Sequence, residues 1–460
     1  MTFWGEVESM DLASTDNKQS GVLIPGQAPD ATHNTLQVLP KSLFRLHVAE
    51  QELRQYLLEV GQPFRDKSDS DEKQARLSSL AFFVLPPNPV ESDRSLIETL
   101  RRNKTAFIYG KPGAGKTSLR LALEAECRRV TDGTLVVTVV LPAGSGSNSA
   151  ADINWSHLSR NLAIDAFIQA LERFSLYETP PNDQQIKVLG KLISLGGEKL
   201  RRVAYKIVSV SPERLTQWGA GDFWSGVGRF PVRYVHIYTE LQTFVGKALQ
   251  ITATTHAVTG KKAWDEGILA ARAWGFNRIL LLIDGVDNVG FTVPEMLDLL
   301  HPFLQQTVPW RKQEVIARYF LPTSLQLPVR KIIGSLPKVT AAEWFDVELK
   351  WTDEALQQLI KARFRAAGSR RVGFTDLGDR TLEKSLGKSL DELLIEAANG
   401  SPRTLLQLIS RLVDRLVMTR QERVMPALWN NLLHQLKRET NNTFSTNSVF
   451  VPLYPGRKIS

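Results

Sequence analysis

The chain has 460 residues, of which 43% are hydrophobic and 23% charged, the balance of a globular protein large enough for two or three cores. No apolar run approaches the ~20 residues of a membrane span. The N-terminus has no basic-then-apolar signal pattern, and a single cysteine, Cys127, excludes an internal disulfide framework, so a reducing, cytoplasmic setting is the expectation. The formal charge of +9 favours acidic partners without specifying one.

Residues 1–76 read as a flexible arm and a helix, the arm being rich in Ser, Thr, Asp, Asn, Gln and Gly to about 39. A helix follows within 41–60, carrying Leu43, Leu46, Leu53, Leu57 and Leu58 and stopped by Gly61-Gln62-Pro63, and then a charged linker at 66–74. From 77 onward the pattern alternates as in an α/β protein with a central parallel sheet flanked by helices. A short strand is predicted at 105–109, a helix at 118–129, and a β-branched strand at 134–141 that suits burial on both faces. A Gly/Ser loop at 142–150 and an amphipathic helix at 155–174 precede a long mixed stretch. Further strands are predicted at 278–283, at 315–321 closed by Pro322, and at 344–349.

After Trp351 the chain reads as capped helices. Thr352 caps 353–366, and Ser389 with Glu392 forms a capping box for a helix stopping at Asn399-Gly400. Ser401-Pro402 opens the next, to about 418, another covers 425–439, and 440–460 reads as an irregular tail.

The segment Gly110-Lys111-Pro112-Gly113-Ala114-Gly115-Lys116-Thr117-Ser118 has the Gly-x-x-x-x-Gly-Lys-Thr spacing of a phosphate loop, set between a predicted strand and a predicted helix. Its glycines permit positive φ angles, so successive N–H groups can form an anion nest in front of a helix N-terminus. Lys116 is placed to reach the β- and γ-phosphates of a nucleoside triphosphate, and the Thr117 hydroxyl to bind Mg²⁺. Downstream, the apolar strand Ile279-Leu280-Leu281-Leu282-Ile283 ends in Asp284, a second Mg²⁺ candidate. Asp287 follows three residues later as candidate general base for an attacking water, with helix capping as the alternative.

With Asp284-Gly285-Val286-Asp287 behind a phosphate loop, the chain resembles the STAND class of P-loop ATPases, the signal-transducing relatives of AAA+ proteins that include the NACHT group. The resemblance covers roughly 77–420. It implies an extra strand between the two motif strands, a helical lid and nucleotide-dependent self-association. Where that class carries Glu after the second Asp, this chain has Asn288, a departure that bears on hydrolysis and not on binding. In the same light, Arg318, Thr323 or Ser324 is a candidate γ-phosphate sensor. Gly400-Ser401-Pro402-Arg403 resembles the lid segment whose arginine reads the γ-phosphate, so Arg403 joins Lys116 and Asp287 as a catalytic candidate.

The domains expected are the arm and helix (1–76), a nucleotide-binding domain (77–351) with an insertion at about 178–264, a helical lid (352–439) and the tail (440–460). The insertion is basic first (Lys187, Lys191, Lys199, Arg201, Arg202, Lys206, Arg214) and aromatic later (Trp218, Phe223, Trp224, Phe230, Tyr234, Tyr238, Phe244). At 185–245 this is either a surface for nucleic acid or a protein partner, or a packed subdomain with a solvated face. Three functions therefore stand open: an ATP-dependent regulatory switch, a DNA-associated AAA+-type motor or loader, and a scaffold that holds ATP without hydrolysing it.

Overall fold

Apolar strands buried on both faces can only lie in the middle of a layered fold, and here they pair into one parallel sheet. The computed structural model describes residues 84–91, 93–129, 132–141, 150–177, 179–211, 235–252, 258–289, 292–336, 343–366, 373–419, 421 and 423–445. The N-terminal arm and helix, the loop at 142–149, the tail beyond 445, and Arg214, Trp218, Phe223, Trp224, Phe230 and Tyr234 of the insertion lie outside these residues.

A one-turn helix α1 (Leu96–Leu100) leads into β1 (Thr105–Gly110), the glycine-rich loop and α2 (Lys116–Arg129). After β2 (Thr134–Val140) comes a helical block: α3 (Ala150–Tyr177), α4 (Asp183–Leu195), α5 (Gly197–Ser209), α6 (Val235–Thr252) and α7 (Gly260–Ala273). The chain then runs through β3 (Arg278–Asp284), α8 (Val293–Gln305), α9 (Thr307–Lys312), β4 (Val315–Pro322), α10 (Gln326–Ser335) and β5 (Trp344–Glu348). Five helices close it: α11 (Asp353–Ala366), α12 (Arg380–Leu386), α13 (Leu390–Ala398), α14 (Pro402–Thr419) and α15 (Pro426–Ser445). No helix among the described residues is long and apolar enough to cross a membrane.

The sheet order is β2-β3-β4-β1-β5, every pair parallel. β4 thus lies between the two motif strands, β1 and β3. Because all strands run the same way, their C-terminal ends share one edge, and the glycine-rich loop, Asp284 and Thr323 all follow from that edge. Side chains alternate with the period of two that strands impose. Phe107, Tyr109, Val137, Leu281 and Tyr319 face the helical block, whose Leu162, Phe167, Leu192, Phe244 and Trp264 complete the larger core. Ala106, Ile108, Val136, Leu280 and Phe320 face α1 and α2, packing on Leu96, Leu100, Leu119, Leu123 and Cys127.

β2 is an outer strand, and its free edge is closed by side chains of α3. Val136 donates its N–H to Gln169 Oε1 at 3.0 Å and accepts from Gln169 Nε2 at 2.6 Å. Thr138 N–H donates to Asp165 Oδ2 at 2.8 Å, and His157 Nε2 lies 3.1 Å from the Val140 carbonyl. An unpaired edge is thereby satisfied without another strand.

Three expectations need correction. The helix expected at 155–174 starts at Ala150 and ends at Tyr177. The tail expected to be irregular from 440 stays helical to Ser445. The mixed stretch after 174 is helical through α4 to α7 among its described residues, α4 being opened by an Asn182–Gln185 capping box. The C-terminal helices follow the expected caps: Ser389 and Glu392 cap each other, and Asn399 (φ 46°) ends α13 in the left-handed region. Leu356, Ile360, Leu394, Leu405, Leu408, Leu412 and Trp429 give these helices a core separate from the two on the sheet.

Candidate functional site

The loop after β1 turns through Gly113 (φ 84°) and Gly115 (φ 87°), both in the region that favours glycine. Ala114 N–H bonds to the Lys111 carbonyl at 3.0 Å and Leu119 N–H to that of Gly115 at 2.9 Å, so α2 grows directly out of the loop. The loop backbone of 110–115 thus runs straight into the first turn of α2, where Ser118 lies.

Lys116 is buried, and its Nζ donates to the Gly110 carbonyl at 3.0 Å and pairs with Asp287 Oδ2 at 2.9 Å. Thr117 Oγ1 donates to Asp284 Oδ2 at 3.0 Å, linking the two motifs across 167 positions of sequence. A hydroxyl and a carboxylate on adjoining elements are the oxygen donors a hard divalent cation prefers, so Thr117 and Asp284 fit Mg²⁺. Asp287 sits in a 3-10 turn (Val286–Val289) directly behind β3. The Asn288 side chain lies outside the described residues.

The C-terminal helices come down on the loop. Arg403 N–H approaches the Gly113 carbonyl at 3.4 Å, and a Cβ placed on Gly113 would fall 2.7 Å from Arg403 Cβ, so glycine is what permits the approach. Burial pulls the Arg403 guanidinium below its ordinary pKa, and the facing Asp287 carboxylate pulls it back up. Trp351, just ahead of α11, donates Nε1–H to the Ala114 carbonyl at 2.9 Å. A cavity of about 1040 Å³ opens on the flank of the loop, lined by Lys111, Pro112, Thr323, Trp351, Gly400 and Ser401 among others. That is ample for a nucleoside.

Lys116, Thr117, Asp284, Asp287 and Arg403 are therefore brought together. Thr323 is half-buried at the end of β4 on the cavity wall, and Ser324 beside it is exposed. Arg318 is not at the site. It is fully buried on the α1–α2 face of β4, where it donates to the carbonyls of Leu100 (2.6 Å), Arg102, Lys104 and Ala317 (3.0 Å). It staples the turn before β1, and a sensor role is excluded by that geometry. Two residues at the site escaped the sequence reading. Trp351 carries only the signal of an aromatic at a domain junction. Arg120, whose Nε donates to Asp284 Oδ2 at 3.0 Å, reads in sequence as one more charge on a helix.

Tyr238 and Phe244 of the insertion are buried core residues. Lys187, Lys191, Lys199, Arg201, Arg202 and Lys206 are exposed, together with Tyr205 at 58%.

No protein-family model matches this chain, and no curated protein matches it. Among solved structures, the ORC1 protein of Aeropyrum pernix in complex with DNA aligns with 14% identity over 90% of this chain and 72% of that one, at a TM-score of 0.31. A likeness of that size says nothing about what this chain binds. By its own sheet and loop, the chain has an α/β P-loop nucleoside-triphosphatase fold.

Proposed function

We propose that this chain is an ATP-binding and ATP-hydrolysing regulatory switch in which the C-terminal helices read the γ-phosphate. One observation carries the reading: Lys116 of the loop pairs with Asp287 at 2.9 Å, and Arg403 of α14, whose guanidinium feels the Asp287 carboxylate, comes down on the same loop at the Gly113 carbonyl. A γ-phosphate delivered by the nest is an anion that competes with Asp287 for both. ATP and ADP then differ in how firmly they join loop to lid, and a population shift requires such differential contact.

The loop amides of 110–117 would hold the β-phosphate, with Lys116 and Arg403 on the γ-phosphate and the base in the neighbouring cavity. Mg²⁺ held by Thr117 and Asp284 would neutralise charge developing on the phosphate oxygens. Asp287, released from Lys116, would orient and deprotonate the attacking water. The resemblance to STAND-class ATPases extends the proposal to nucleotide-dependent self-association or partner binding.

A second reading, a DNA-associated ATPase, draws on the exposed basic residues of α4 and α5 with Tyr205 among them. Hydrolysis by the purified protein with and without duplex DNA, beside Lys116→Ala and Asp287→Ala, tests both. Turnover abolished by either substitution and indifferent to DNA supports the switch. Turnover raised by DNA and lost steeply with salt supports the second reading. Nucleotide held tightly without turnover would replace both with an ATP-binding scaffold.

A further inference from the structure

Arg120 lies three residues beyond Thr117 on α2, nearly one turn on, so both side chains leave the helix on the same side. It is completely buried. Its Nε donates to Asp284 Oδ2 at 3.0 Å, the same oxygen that accepts from the Thr117 hydroxyl at 3.0 Å. Asp284 Oδ1 accepts from the Gly285 N–H at 2.8 Å. On its far side the guanidinium is anchored. Nη1 lies 3.5 Å from Glu124 Oε2, which also accepts from the Thr138 hydroxyl at 3.1 Å. Glu124 Oε1 in turn lies 3.4 Å from Arg128 Nη1, and Arg128 Nε is 3.7 Å from Glu172. A row of alternating charges thus runs from Asp284 down α2 to α3.

We propose that Arg120 is a positioning residue that serves as the resident counter-ion of Asp284, so that this chain holds ATP nearly as well without a divalent metal as with one. The inference rests on reading the site as an ATP site. A guanidinium stays charged at any physiological pH, so the carboxylate that would attract Mg²⁺ already has a cation against it, one that it shares with Glu124. Three of the roughly four lone-pair positions of Asp284 are occupied by donors. A divalent ion arriving there also meets the like charge of Arg120, which lies fully buried behind Asp284. What Mg²⁺ gains from Asp284 is therefore small, while the loop amides and Lys116 bind the phosphates regardless. Binding and turnover come apart: the metal remains needed where phosphate charge develops, and is dispensable for retention of the nucleotide.

The test is ATP affinity in Mg²⁺ and in EDTA, measured with a fluorescent ATP analogue on the full chain. Removing the metal should weaken binding by less than about threefold in the wild type and by about thirtyfold or more in Arg120→Gln, where Asp284 is left as an uncompensated buried charge. Arg120→Lys keeps the charge and should restore the weak metal dependence, which a merely structural role would not require. A wild-type loss clearly above about threefold in EDTA, or equal ratios in wild type and Arg120→Gln, overturns the proposal. If Arg120→Gln does not fold, the wild-type ratio alone decides. A wild type that binds no ATP in either condition refutes the reading of the site itself, an outcome distinct from strong metal dependence.

Discussion

Trp351 Nε1 donates a hydrogen bond to the Ala114 carbonyl at 2.9 Å, fastening the start of the C-terminal helices to the middle of the phosphate loop. The ring also passes close to Gly115, where an added Cβ would lie 3.8 Å from Cζ2. Trp351→Phe keeps an aromatic ring and removes the donor, a local loss of about 0.5–1.5 kcal/mol. Amide hydrogen exchange should quicken in the loop at 110–117 and at the start of α11, with little change in the melting temperature. Unchanged exchange in both segments would mean that the bond does not couple them.

Asp287 holds Lys116 and is also the proposed base, so the two roles predict opposite effects of one substitution. Asp287→Asn frees Lys116 for phosphate, and ATP affinity should stay level or rise. Turnover should fall by about 10²–10⁴, the range of a lost general base. Steady-state hydrolysis paired with a binding titration separates the two. A parallel loss of affinity and turnover would assign Asp287 a structural role alone.

Arg403 reaches the loop from α14, and only the γ-phosphate distinguishes ATP from ADP. Arg403→Ala should weaken ATP binding by about tenfold and leave ADP binding within about twofold, as expected of one lost charge-assisted contact. Titrations with both nucleotides measure it. Equal losses for ATP and ADP would place Arg403 on the α- or β-phosphate and remove it as the sensor.

The sheet was legible because most of its strands are largely apolar runs, and two of them end on residues with only a few plausible uses, Gly110 before the nest and Asp284 before a turn. The helical block beyond α3 was not. Gly190, which reads as a helix breaker, sits inside α4, where a Cβ would come within 2.8 Å of the Ala248 carbonyl of α6. Helix crossing at that distance needs the glycine, and no local pattern reveals a partner 58 residues away. Arg318 misled for a related reason. Its place on β4 suggested the nucleotide edge, whereas it shares the α1–α2 face with Phe320 and has its carbonyl partners near the start of β1. Arg120 was invisible because a charge on a helix is ordinarily solvated, and only the packing of α2 on the sheet buries it.

The closing of β2 by α3 makes the last prediction. Gln169 is buried, and its amide serves both the N–H and the carbonyl of Val136. Gln169→Leu keeps the approximate volume and leaves two backbone groups unsatisfied, at a cost of about 1–3 kcal/mol each. Thermal unfolding should drop by several degrees. Gln169→Glu discriminates between lost bonding and disturbed packing. Its carboxylate can still accept from the Val136 N–H but faces the Val136 carbonyl with a second acceptor, so the folded state favours the protonated acid and raises its pKa above the unfolded value. Protonation restores the donor, so the deficit relative to wild type should be full at neutral pH and shrink as pH falls through that raised pKa. A deficit independent of pH would show that α3 holds β2 by packing, and that the two bonds contribute little to closing the edge.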